Sequence, residues 1–227
     1  MDKIQTFLLV APVLLFSMVA HEYAHGYAAL KQGDPTAYQL GRLTWNPMKH
    51  IDPFMTLILP ILTFITAGVM FGGAKPVPVN PRNYRNFKRG DIIVSLAGVA
   101  TNLVLAVVAV VAVAVVGLAG RAVPVLAVSA SILQLMLIYG VLINLVLAFF
   151  NLIPIPPLDG SHVAKYLLPP AWALKYEEFG RYGLIALMLL VTVGSGVMRG
   201  FFAPILFLHS AAVQLLIPFI LPSPWTV

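Results

Sequence analysis

Residues His21-Glu22-Tyr23-Ala24-His25 form an H-E-x-x-H pattern. On a helix, positions four apart share a face, so both imidazoles can reach one metal ion. Glu22 lies between them and is placed to take a proton from a water made acidic by the metal. In a soluble chain this pattern suggests a zinc hydrolase. Here it follows residues 4–20, a run without a single charged side chain. Ionisable groups at membrane depth are costly and mark function. Three of them within about one and a half helical turns point to a metal site inside the membrane.

Two histidines do not complete a catalytic zinc site, which usually has three protein ligands plus a water. Asp159 is the strongest candidate for the third. It follows the last residues of a charge-free run in Asn151-Leu152-Ile153-Pro154-Ile155-Pro156-Pro157-Leu158-Asp159-Gly160, where three prolines interrupt regular backbone hydrogen bonding. His162 is the reserve ligand, close behind Asp159. His50 is read as a loop residue at the interface and His209 as a packed or snorkelling histidine. Asn102 and Asn144 are read as hydrogen-bonding glue between helices.

The elements that must position these groups are set by composition. The chain has 227 residues, of which 60% are hydrophobic and 10% charged. Soluble domains carry about 25% charged residues, so this is a membrane protein with several spans. No polar stretch is long enough to fold a separate soluble domain, and a single membrane-embedded domain over 1–227 is expected. The net charge of +6 sits in short loops and sets topology, not nucleic-acid binding. The absence of cysteine excludes disulfides, thiolate catalysis and thiolate ligands. The N-terminal apolar run has no small-residue cleavage pattern and leads straight into His21, so it is not read as a cleavable signal.

The expected fold is an all-α polytopic bundle of about five to six spans, over residues 4–30, 92–118, 124–152, 182–198 and 201–221. Residues 53–74, with Pro53, Pro60 and Gly72-Gly73, are expected to be re-entrant. Residues 36–44 alternate loosely, like an edge strand or hairpin, and 74–80 are extended by Pro76 and Pro78. Short β-like elements near the site are therefore expected.

Asp159 can meet His21 and His25 only if the helices preceding them run parallel. A re-entrant 53–74 makes the span before Asp159 the third, which is parallel to the first; a full crossing makes it the fourth and antiparallel. Charge bias tests this independently. With re-entrance, Lys31, Arg42, Lys49, Lys75, Arg82, Arg85, Lys88, Arg89, Lys165, Lys175 and Arg181 share one side, 11 of the 14 basic residues. A full crossing splits them 9 to 5. The positive-inside rule favours re-entrance and a site near the cytoplasmic face. Helix rise then puts His21 roughly 25 Å into a core about 30 Å thick, a short distance from cytoplasmic water.

Together these motifs resemble the site-2 proteases, the membrane-embedded zinc metalloproteases. The resemblance is carried by the H-E-x-x-H residues, Gly72-Gly73-Ala74-Lys75-Pro76-Val77-Pro78-Val79-Asn80, Leu96-Ala97-Gly98-Val99-Ala100-Thr101-Asn102, and 151–160, in family order. It implies that His21, His25 and Asp159 bind one Zn2+ and that Glu22 is the general base. It also implies that Asn151 helps hold the substrate or the developing oxyanion. The family's usual A-G-P reads Ala97-Gly98-Val99 here. A span that often precedes the H-E-x-x-H helix, a PDZ-like insert and a nucleotide-sensing appendage are not seen, which suggests a minimal catalytic core.

The expected activity is intramembrane endopeptidase cleavage of membrane-protein substrates in or near a transmembrane segment, in a cell membrane of prokaryotic type. The lipid bilayer is the surrounding partner and nucleic acid is not one. A divalent-metal transporter is the alternative, but internal repeats and matching broken helices, usual in transporters, are not seen. An inactive relative that binds membrane proteins is the third reading, and the intact motif argues against it.

Overall fold

The structure is a computed structural model that describes residues 3–67, 72–192 and 195–222. Its helices, in chain order, are α1 (Lys3–Gln32), α2 (Thr36–Gln39), α3 (Leu59–Ala67), α4 (Phe87–Ala122), α5 (Ala127–Asn151), α6 (Asp159–Ala164), α7 (Pro170–Phe179), α8 (Gly183–Thr192) and α9 (Ser195–Leu216). Four stretches are long and apolar enough to cross a membrane: Lys3–Gln32, Phe87–Ala122, Pro124–Asn151 and Met198–Phe219. The five to six spans expected from hydropathy thus reduce to four among the described residues. The 182–198 stretch accounts for the difference. Within it, α8 and the first residues of α9 are helical, and 193–194 between them lie outside the described residues.

The bundle is built around α1, α4 and α5. Matching levels along the three helices give their directions. Val13 on α1 lies against Gly140 on α5, which also faces Ala109 on α4. Four residues further along α1, Ser17 is joined to Asn144 of α5 and Asn102 of α4. His25, two turns further, reaches Val94 of α4. Residue numbers climb together on α1 and α5 and fall on α4. The first and third helices are parallel, with α4 antiparallel between them, as the ligand argument requires. Behind α4 and α5, Ala106, Ala109, Val141 and Leu145 pack with fully buried Ile205 of α9.

Between α1 and α4 the chain makes an excursion whose two ends are fastened together. Arg85 N donates to Gln32 O (2.8 Å). Asp34 is fully buried and accepts from Asn80 N (2.6 Å), Asn83 Nδ2 (2.8 Å) and Thr36 N (3.2 Å). Gly33 makes the turn into this clasp with φ 111°, in the region that favours glycine. A second closure lies further out. Gly73 N donates to Met55 O, Lys75 N to His50 O, and Thr56 Oγ1 to Gly73 O. The excursion leaves and rejoins the bundle at the end where α1 finishes and α4 begins. Its apolar helical part, Pro53–Ile65, is too short to span. It begins as a π-helical turn (Pro53–Ile58), capped by the Asp52 carboxylate, and continues as α3.

The strand-like reading of 36–44 is corrected. Residues Thr36–Gln39 are helical, because Asp34 caps Thr36 N and so starts a helical turn. Gly41, at φ 63°, ends it, and Arg42 N and Leu43 N both return to Ala37 O. No strand is present among the described residues. Residues 72–80 are extended without regular pairing, as their prolines require.

Burial alone would raise the Asp34 pKa, but the donors from Asn80, Thr36 and Asn83 outweigh it and hold the carboxyl below its usual range. The clasp is therefore fully stabilising above the unfolded carboxylate pKa of about 4 and weakens as pH falls through the lower folded value. Asp34→Ala should cost about 2–4 kcal/mol, because it leaves several donors unpaired. Thermal unfolding in detergent as a function of pH checks this: the parent should lose stability in acid more steeply than Asp34→Asn does.

Candidate metal centre

α1 is regular through the H-E-x-x-H residues, so His21 and His25 point to the same side, toward α4. Asp159 arrives from the other end of the chain. α5 stops at Asn151, and the turn through Pro154, Pro156 and Pro157 closes on itself through Ile155 N to Ile153 O and Leu158 N to Ile155 O. Asp159 is the first residue of α6. Gly160 presses on the Leu152 carbonyl so closely that a side chain there would clash with backbone.

These three residues converge. His21 Nε2 and His25 Nε2 lie 2.9 Å apart, and Asp159 Oδ2 is 3.1 Å from the first and 3.3 Å from the second. Ligand atoms at about 2.0–2.1 Å from a tetrahedral zinc lie roughly 3.3 Å from one another, so the spacing fits. It is the group of three acidic, histidine or cysteine residues with metal-ligand spacing found among the described residues.

Hydrogen bonding on the far side of each ring decides what the convergent atoms are. His25 Nδ1 is 2.7 Å from Val94 O, which can only accept, so Nδ1 carries the proton. His21 Nδ1 is 2.6 Å from Asn102 Oδ1. The orientation of that amide is fixed by its other end. Asn102 Nδ2 donates to Asn144 Oδ1 (2.8 Å) and to Ser17 O (3.5 Å), and Asn144 Nδ2 donates to Gly140 O and to Ser17 Oγ. The chain ends on backbone carbonyls, so Asn102 Oδ1 must face His21 and His21 Nδ1 must donate. Both Nε2 atoms therefore present lone pairs. Asp159 Oδ2 is buried, has no hydrogen-bond donor, and faces both of them. Three lone pairs aimed at one point repel unless a cation lies among them, and a His2Asp donor set suits zinc.

Glu22 sits beside this group on the adjacent face of α1. Its Oε2 accepts from Val77 N at 2.7 Å. Val77 lies in a strap of extended chain across α1. Pro76 and Pro78 have no N–H, the amides of Lys75, Val77 and Asn80 go to His50 O, Glu22 and Asp34, and Arg42 Nη2 donates to the carbonyls of Lys75 and Pro76. Gly26 leaves room for the Val77 side chain, since a Cβ there would lie 3.0 Å from Val77 Cγ1. The strap is thus tied at several points to α1, to Asp34, to Arg42 and to His50.

Other candidates are placed elsewhere. Asn151 is the last residue of α5, and its Nδ2 donates to Leu147 O (2.9 Å) within its own helix, without touching the ligand group. His162 pairs with Asp91 (3.2 Å). His209 is on α9 and is not among the convergent ligands. His50 is fully buried, not an interfacial loop residue: Nε2 bonds Thr44 O at 2.8 Å, and its own carbonyl receives Lys75 N. Asn102 and Asn144 do join helices, but they also hold a ligand, which the sequence reading missed. The available signal was Gly98 and Asn102 four apart in an apolar helix. Gly98 was also missed as a packing site. A Cβ on it would fall 2.6 Å from His21 Nδ1 and Nε2.

Gly98→Ala should therefore displace the His21 ring and weaken zinc binding about tenfold or more, with the protein still folded. Metal analysis after titration against a chelator, beside thermal unfolding, checks this.

A family model described as peptidase family M50 matches residues 114–193, which include Asp159. Two similar relatives are named "Putative zinc metalloprotease": YwhC of Bacillus subtilis (strain 168), 37% identical over 86% of this chain and 84% of its own length, and Rip2 of Mycolicibacterium smegmatis, 33% identical over 85% of this chain and 70% of its own. Rip2 of Mycobacterium tuberculosis (strain H37Rv) is 28% identical over 81% of this chain and 66% of its own length. No solved structure matches. With relatives above 30% identity matched over most of both chains, the chain belongs to peptidase family M50, the site-2 protease family, and is a membrane zinc metalloprotease of that type.

Proposed function

We propose that this protein is an intramembrane endopeptidase that cleaves membrane-protein substrates in or near a transmembrane segment. The observation that carries the reading is the convergence of His21 Nε2, His25 Nε2 and Asp159 Oδ2 within 3.3 Å of one another, inside a bundle of apolar helices. These three side chains would hold one Zn2+ per chain. When bound there, zinc supplies Lewis acidity, polarising the scissile carbonyl and lowering the pKa of a water to about 7.

Glu22 would accept a proton from the attacking water and return it to the leaving amine. The Val77 N–H holds Oε2, so Oε1 is the oxygen that moves the proton. Val94 and Asn102 keep the imidazoles in the tautomer that leaves Nε2 open. Asn151 is the residue proposed to steady the substrate carbonyl; its amide must exchange Leu147 O for substrate to do so. A helix hides its amides, so the substrate segment unwinds before it is cut.

The site is proposed to face the cytoplasm, and the segment 53–74, of which 68–71 lie outside the described residues, to dip into the membrane without crossing it. The fastening of Met55 to Gly73 and of Gln32 to Arg85 supports this, as does the charge bias of the loops. Irregular backbone at that depth is tolerated where it is buried in protein or lines a wet cavity.

Glu22→Gln should keep its zinc and lose about 10²–10⁴-fold in cleavage of a membrane substrate in detergent. Persistent cleavage would remove Glu22 as the base, and metal flux independent of proteolysis would favour a transporter. Topology is testable because the chain has no cysteine. In intact cells an impermeant maleimide should label Arg121→Cys, and Lys175→Cys only after permeabilisation; the reverse pattern would put the site on the opposite face.

A further inference from the structure

A second cluster of charged groups lies one turn from the ligands, and the chemistry above does not use it. Its centre is Asp91 in the first turns of α4, 3% exposed. Asp91 Oδ1 accepts from His162 Nδ1 (3.2 Å), and Oδ2 accepts from Lys165 Nζ (2.8 Å) and Tyr166 Oη (2.8 Å). Lys165 also pairs with Glu177 of α7 (3.2 Å). Burial works against charge on Lys165, but Asp91, and then Glu177, raise its pKa above the usual lysine value.

The donors to Asp91 all come from residues 162–166, the end of α6 and the turn after it. α6 has six residues, far too few to hold a direction alone. Its N-cap, Leu158, makes no side-chain capping bond. Asp159 is the first residue of this helix, so its carboxylate goes where α6 is aimed. Gly160 against Leu152 O fixes one end of that aim, and Asp91 grips the other. Asp91 is three residues before Val94, whose carbonyl holds His25. Two ligands from distant parts of the chain are thus referred to adjacent turns of α4.

We infer that Asp91 is a positioning residue: by gripping the end of α6 it sets Asp159 against His21 and His25 and so sets the affinity of the metal centre. This rests on the metal-site reading above. A buried carboxylate holding three donors is costly to assemble for packing alone, because an apolar contact of the same shape is as stable or more so. A charged grip instead fixes the direction of a helix too short to fix its own.

The test uses the full chain in detergent. Asp91→Asn and Lys165→Met are compared with the parent for zinc affinity by chelator competition, for the visible absorption of the Co2+-loaded protein, and for thermal unfolding. Asp91→Asn should bind zinc about 10–100-fold more weakly, with a shifted Co2+ spectrum, and Lys165→Met should move both in the same direction by less. If Asp91→Asn does not fold, His162→Ala combined with Lys165→Met carries the same expectation. Folded variants with parental zinc affinity and Co2+ spectrum, whatever their unfolding temperature, would overturn the inference and leave the metal site standing. A parent chain that binds neither metal would overturn the metal-site reading, and this inference with it.

Discussion

Two imidazole nitrogens and a carboxylate oxygen at about 3 Å repel one another, and much of this bundle is an arrangement for holding them there. The repulsion cannot be relieved by turning a ring, since each Nδ1–H is engaged on its far side. Nor can it be relieved by flipping an amide, because the Asn102–Asn144 chain ends on the carbonyls of Ser17 and Gly140. Neutral amides serve this purpose well at membrane depth. They orient a histidine as firmly as a carboxylate does, without a second buried charge.

α4 is the common reference for all three ligands. Asp91, Val94, Gly98 and Asn102 follow one another at helical spacing along a single face, over roughly 16 Å. Each acts by a different means: a carboxylate on α6, a backbone carbonyl on His25, an absent side chain beside His21, and an amide behind it. The ligands come from positions far apart in sequence, yet their relative placement is set by the pitch of one helix. Because α4 runs opposite to α1 and α5, its early turns meet the late turns of both.

The convergence of His21, His25 and Asp159 was legible in the sequence because metal binding demands particular residue types. The parallel course of α1 and α5 was legible because charge in the loops reports orientation independently of contacts. Asn102 was read only as glue, since an amide in an apolar helix announces that it has a partner but not which one. Gly98 gave a signal only through its spacing to Asn102, because the reason for it is the ring on another helix. Residues 36–39 were misread because a few alternating residues also fit one helical turn, here entered through the local bond from Thr36 N to the Asp34 carboxylate. His50 looked like a surface residue because its partner is a backbone carbonyl, which carries no sequence signature.

The fastening at the base of the excursion between α1 and α4 has a wider consequence. A chain segment that starts and finishes at the same point adds no net passage, so whatever lies between Asp34 and Arg85 leaves the orientation of every later helix unchanged. The frame of helices and the detour are then structurally separable: a change of length or course within the detour leaves the direction of the later helices untouched, because the junction is set by a few residues at its neck.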